Sequence, residues 1–160
     1  AESTTSGSFP YIGVAAIDKF SHTYIGANLD SVAFNSNQAV YSNESEIDSG
    51  ETNYGDGDIV GVAADITNKK IYFHVNGTYI NSQNPASGTN GYTLPNTDGG
   101  VYAFAASLYG ASGTWEANFG SPAFSISSGN ADGEGFGNFE YAVPSGFFSL
   151  CSSNLAEYGG

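Results

Sequence analysis

Apolar and polar positions change rhythm over short distances along this chain, and no stretch of ten residues keeps a helical apolar spacing. Residues 9–16 (FPYIGVAA) form the first apolar run and predict a strand. From 17 to 57 the signal weakens, so that only 31–34 and 39–41 predict short strands within what is expected to be mainly loop. Residues 58–66 (DIVGVAADI), 71–75 and 78–80 then predict three consecutive antiparallel strands. The first two are joined by a polar Thr67-Asn68-Lys69-Lys70 turn. The second and third are joined by Asn76-Gly77, a pair suited to a type I′ turn because both central residues need positive φ.

A polar loop with Pro85 and Pro95 follows at 81–100. Residues 101–109 (VYAFAASLY) are almost wholly apolar and 114–119 alternate, which predicts a hairpin closed near 110–113. The 127–137 stretch is Gly-rich without periodicity. Residues 139–151 predict a Pro144-Ser145-Gly146 turn and one further strand. About eight short strands at this spacing predict an all-β, antiparallel β-sandwich of jelly-roll type, in which two apolar layers face each other. The 160 residues suit one domain, 1–160, with its own core.

Charge narrows the functional classes. Sixteen acidic residues stand against three lysines and no arginine, a formal charge of −13. Nucleic acid is excluded as a partner because phosphates require clustered cations, and an anionic membrane surface is disfavoured for the same reason. No apolar run is long enough to insert in a membrane. The single Cys151, between apolar neighbours Phe147, Phe148 and Leu150, cannot form an intrachain disulfide and is expected to be a small buried side chain. No methionine occurs, so the chain is expected to be a piece of a longer polypeptide or a processed product.

Four motifs occur in series: Phe9-Pro10-Tyr11-Ile12-Gly13-Val14; Gly57-Asp58-Ile59-Val60-Gly61-Val62-Ala63-Ala64-Asp65; Ile71-Tyr72-Phe73 with Asn76-Gly77; and Asn118-Phe119-Gly120 with Pro122 and Phe124. In order and spacing they resemble the SPRY domains, which have a concanavalin A-like jelly roll, over residues 9–155. Residues 141–155 are similar to the version of this domain carried by tailed-phage virion proteins. The resemblance implies a non-catalytic binding or assembly module without a cofactor, on an extracellular phage particle surface such as a tail fibre or head. Its implied partners are a host-surface glycan or protein, or other virion subunits, with a homo-oligomer in the virion. A purely structural decoration or cement domain is the alternative within that setting. The implied ligand surface is the loop set 17–30, 43–57, 81–100 and 127–138. SPRY domains normally have strands before the FPYIGV-type strand, and here only residues 1–8 precede it. The resemblance therefore implies that those strands come from sequence outside the chain or from another subunit.

Within those loops the ligand-binding candidates are Tyr24, Tyr54, Asn53, Tyr92, Asn90 and Phe136, since aromatic rings among amides can both stack and hydrogen-bond. The other use of such rings is to anchor their own loops. One catalytic alternative exists: Glu46, Asp48 and Glu51 resemble in spacing the carboxylates of laminarinase-like retaining glycosidases, with Glu46 as nucleophile and Glu51 as acid/base. That reading needs Glu46 and Asp48, at i and i+2, on one strand face. Only Trp115 could serve as an indole sugar platform, and catalysis is not expected. Asp56-Gly57-Asp58 reads as a turn and, less readily, as part of a Ca²⁺ site. Asp65 is expected to cap the 67–70 turn, His22 and His74 to lie at the surface without ligating a metal, and Trp115 to pack in the core.

Overall fold

The computed structural model describes residues 9–17, 24–27, 30–95, 101–110 and 113–158. The expectations for His22, for residues 1–8 and for parts of the 17–30, 81–100 and 110–113 connections concern positions outside those described. Nine strands are present among the described residues: β1 (Phe9–Ala16), β2 (Ser31–Asn35), β3 (Ala39–Ser42), β4 (Ser45–Ser49), β5 (Val60–Asp65), β6 (Lys70–Val75), β7 (Thr78–Tyr79), β8 (Tyr92–Thr93) and β9 (Tyr102–Tyr109). The first sheet runs β4-β3-β2-β1-β9, and the second runs β5-β6-β7 with β8 also paired to β6; every pairing is antiparallel. Together they make the all-β sandwich that the short-strand pattern predicts.

Alternation decides which side chains enter the core. Val14, Val32, Phe34 and Val40 of the first sheet meet Ile71, Phe73 and Val75 of the second, together with Ile80 and Leu94 from the connections beside it. Phe34 and Phe73 bridge the layers with ring centroids 5.8 Å apart, and neither is exposed to solvent. Burying each such side chain contributes about 1.5–3 kcal/mol. The opposite face of the first sheet carries a second cluster, in which Tyr11, Ala15 and Ala33 pack around Ile25. All five residues of β2 are therefore buried, and its two faces serve two cores.

The turns follow their sequence chemistry. Asn76 and Gly77 have φ of 50° and 83°, as a type I′ turn demands. Asp65 accepts hydrogen bonds from the Asn68 backbone N–H (2.9 Å) and side-chain amide (2.7 Å), the expected cap of the 67–70 turn.

Several features differ from expectation, among them β8, which pairs with β6 inside the 81–100 stretch expected to be loop. The 43–57 stretch contains β4, a mostly exposed edge strand without an apolar face to announce it. Residues 113–118 form no strand. Trp115 turns toward Tyr54 (6.1 Å) at the margin of the core, and Asn118 bonds locally, accepting from the Gly120 N–H (2.8 Å) and donating to the Asn138 carbonyl (2.8 Å). Such side-chain bonds compete with a strand ladder. The 139–151 stretch keeps its Pro144 turn, closed by Phe147 N–H to the Pro144 carbonyl (3.0 Å), but forms no strand and leads instead into α1 (Ser152–Tyr158). Cys151, expected to be buried, is half-buried just before that helix, and the Asn154 backbone N–H lowers its pKa.

Tyr141 and Phe147, from the segment after residue 120, pack on the outer face of the second sheet. Phe147 meets Tyr72 edge-on (6.0 Å) and Tyr141 meets His74 (5.6 Å). His74 thus lies on the outward side of β6, as alternation predicts, but beneath a covering ring.

Candidate ligand-binding surface

Two of the loops singled out in the sequence meet at the β4 end of the sheet order, along the lateral edge of the sandwich where β4 faces the segment running from β7 to β8. Asp48, on β4, accepts a hydrogen bond from the Tyr92 hydroxyl (2.6 Å) and another from the Asn81 side-chain amide (3.0 Å) on the same oxygen. The Asn81 backbone N–H donates to Glu51 (2.9 Å), while its carbonyl accepts from the Asn90 side-chain amide (3.0 Å). Gln83, buried below, accepts from the Phe73 N–H (2.8 Å) and donates to the Asn90 carbonyl (3.2 Å), which ties the 83–91 loop to β6.

Local sequence explains this shape. Asn81, Ser82 and Asn90 adopt φ of 48°, 50° and 55°, the left-handed region that asparagine tolerates better than most residues. The 80–82 turn can therefore reverse direction tightly after β7 and carry Asn81 across to β4. Burial, opposed by the Asn81 N–H and reinforced by the neighbouring Asp48 charge, raises the pKa of Glu51. Burial and the bond to Asp48 raise that of Tyr92 far beyond the physiological range, so the hydroxyl stays a donor. Asn53, Asn81 and Asn90 are exposed along this edge, over a base fixed by buried or half-buried partners.

The six sequence candidates separate. Tyr92 and Asn90 belong to the network above, and Asn53 is exposed on the adjoining loop. Tyr54 does not face solvent: it is 5% exposed, its hydroxyl donates to the Pro10 (2.8 Å) and Phe34 (3.1 Å) carbonyls, and its ring meets Phe34 at 5.2 Å. It anchors its loop, the second use open to such rings. Tyr24 lies on the outer face of the first sheet, stacked on Tyr11 at 4.5 Å. Phe136 is exposed in the C-terminal segment, on a loop ordered by Asp132 rather than by the network at β4. The sequence reading missed Asn81, whose only signal is an Asn-Ser pair directly after a short strand.

The three carboxylates of the glycosidase reading do not line one cleft. The β3–β4 register shifts so that Val40 opposes Asp48 and Tyr41 opposes Glu46, leaving Ile47 as the extra bulged residue. Glu46 and Asp48 consequently face opposite sides of the sheet. Glu46 accepts from the Tyr41 hydroxyl (3.0 Å) on the outer face, while Asp48 and Glu51 meet Asn81. Asp58 holds its own turn, accepting from the Gly55 N–H (2.8 Å) and the Asn76 amide (2.6 Å). Among the described residues no group of three His, Cys, Asp or Glu side chains is placed to hold a metal, and no helix is long and apolar enough to cross a membrane.

Comparison with known families gives a match to the SPRY domain over residues 3–120, which takes in both sheets and the network at β4. Among curated proteins none matches the chain.

Proposed function

Because this chain belongs to the SPRY domain family, whose members are generally protein-binding modules, we propose that it grips a partner at the sandwich edge where residues 50–54 and 81–92 meet. One observation carries the reading: Asp48 of β4 receives both Tyr92 and Asn81, so the two ends of the 81–92 segment are locked to the edge strand before any partner arrives. A preorganised surface loses less entropy on binding than one that must be ordered. The exposed amides of Asn53, Asn81 and Asn90 suit hydrogen bonds to the backbone or polar side chains of a peptide segment.

The finer placement we propose is the exterior of a phage virion, with a host-surface protein or glycan, or a neighbouring virion subunit, as the partner. It is supported by the similarity of residues 141–155 to virion-borne domains, and by a charge of −13 that keeps densely displayed copies apart.

Selection from a random peptide library, run in parallel with a glycan panel, tests this function. The intact chain is expected to enrich a consistent peptide motif. An Asn53→Ala, Asn90→Gly double variant, which respects the left-handed backbone at position 90, should lose at least about tenfold in affinity for that motif. Undiminished binding by the variant, or enrichment of glycans alone, would contradict a peptide-gripping edge.

A further inference from the structure

The outer face of the first sheet carries a row of aromatic rings separate from the 50–54 and 81–92 loops. Tyr109 of β9 stacks on Tyr24 (4.5 Å), Tyr24 on Tyr11 of β1 (4.5 Å), and Tyr11 meets Tyr41 of β3 (6.0 Å). The row ends in a carboxylate, because the Tyr41 hydroxyl donates to Glu46 (3.0 Å). Tyr11 is buried beneath the row, Tyr24 and Tyr41 are half-buried, and Tyr109 is 54% exposed. The alternation of β1 and β9 keeps formal charge off this face, where Phe9, Tyr11, Gly13 and Ala15 lie beside Ala103, Ala105, Ser107 and Tyr109. Glu46 is therefore placed as an anion at the edge of a face to which the described residues of β1 and β9 contribute no charge.

We infer that this tyrosine row and Glu46 form a second recognition surface, which takes an arginine or lysine side chain from an extended segment of a protein partner. Three observations select that occupant. Successive rings are inclined to one another by 32°, 56° and 65°, so they offer tilted faces and edges instead of the flat platform a sugar ring stacks on. Ring faces carry negative electrostatic potential and attract cations within about 6 Å, and the adjacent carboxylate adds a charged acceptor. The complementary charge is also scarce in the chain: against 16 acidic residues stand three lysines. Two of them are engaged elsewhere: Lys69, in the turn before β6, lies 5.0 Å over the Tyr102 ring of β9, and Lys70 of β6 donates to the Gly91 carbonyl. The Lys69–Tyr102 pair shows within this molecule the contact that an incoming cation would make.

Burial, and then the bond to Glu46, push the Tyr41 hydroxyl up to about 12, so it remains a donor that orients the carboxylate at any physiological pH. This surface lies on a different face from the site of residues 50–54 and 81–92, and either can fail without the other.

Calorimetric titration of the full chain with a Gly-Ser-Arg repeat peptide, and with the same peptide carrying uncharged citrulline for arginine, tests the inference. The arginine peptide should bind, with citrulline weakening it about tenfold or more. Tyr109→Ala should weaken binding by about two- to fivefold, whereas Tyr109→Phe, which keeps the ring, should stay within about twofold of the parent. Glu46→Gln should weaken binding and reduce its salt dependence more than Glu116→Gln, which removes the same charge from the exposed 113–118 loop. The assignment is overturned if the arginine peptide does not bind, if citrulline binds equally well, or if the Glu46 and Glu116 variants lose affinity equally. The last result would mean that net charge alone drew the peptide.

Discussion

At the scale of single residues, His74 couples β6 to the segment that covers it. Its ring lies between Tyr79 (5.3 Å) and Tyr141 (5.6 Å), and its Nδ1 accepts a hydrogen bond from the Gly77 N–H (3.1 Å). The imidazole also lies against the backbone of Gly61 on β5, where any Cβ would stand 1.9 Å from Nε2. Protonation would aim two N–H groups at each other across the Gly77 contact, and burial lowers the pKa from its ordinary 6.5 to about 4. The unfolded chain therefore binds the proton more readily than the folded one between those values. Stability from this group is fully present above pH 6.5, falls as pH drops toward 4 and levels off below it, a loss on the order of 3 kcal/mol. Denaturant midpoints measured across pH 4–7 should show that slope, and His74→Gln should flatten it. An unchanged slope in the variant would assign the dependence to other groups.

At the scale of elements, the segment after residue 120 has no regular strand and is held by carboxylates used as acceptor hubs. Asp132 accepts from the backbone N–H groups of Glu134, Phe136 and Ser149, from the Ser149 hydroxyl and from the Asn154 amide. Although burial opposes its charge, these bonds hold its pKa well below the usual carboxylate range. Glu140, gathering the backbone and hydroxyl groups of Ser127 and Ser128, is lowered to about 2 by the same kind of bond. Asp132→Asn replaces an acceptor oxygen with a donor facing donors. Hydrogen exchange should then accelerate in residues 127–158, by a local loss on the order of 3 kcal/mol, while amides of β1, β2 and β6 keep their protection. Uniform acceleration through both sheets would show that the segment unfolds only with the whole.

What the sequence discloses and what it hides follow from the same physics. β1, β5, β6 and β9 carry apolar side chains for one or both faces, and Asn76-Gly77 carries a turn with a strict φ requirement, so composition and spacing reveal them. β4 is an edge whose side chains are nearly all exposed, so its ladder leaves no apolar mark. Residues 114–119 show the converse, alternating without a ladder because Trp115 and Asn118 find partners elsewhere. The network at β4 is half visible. Tyr92 and Asn90 stand out as an aromatic and an amide in a polar loop, but the bulge that separates Glu46 from Asp48, and the left-handed Asn81 that reaches Asp48, depend on pairing between distant segments.

At the scale of the whole molecule, a two-sheet SPRY scaffold fixes loops of unlike sequence along one edge, and its −13 charge disfavours anionic partners while favouring cationic ones. The most direct test of the central claim is an amide hydrogen-exchange footprint of the chain bound to its selected peptide. Slowed exchange is expected at residues 50–54 and 81–92, with the outer face of the second sheet unchanged. Protection confined to residues 127–158 or to β5 and β6, with the 81–92 loop exchanging as in the free chain, would contradict it.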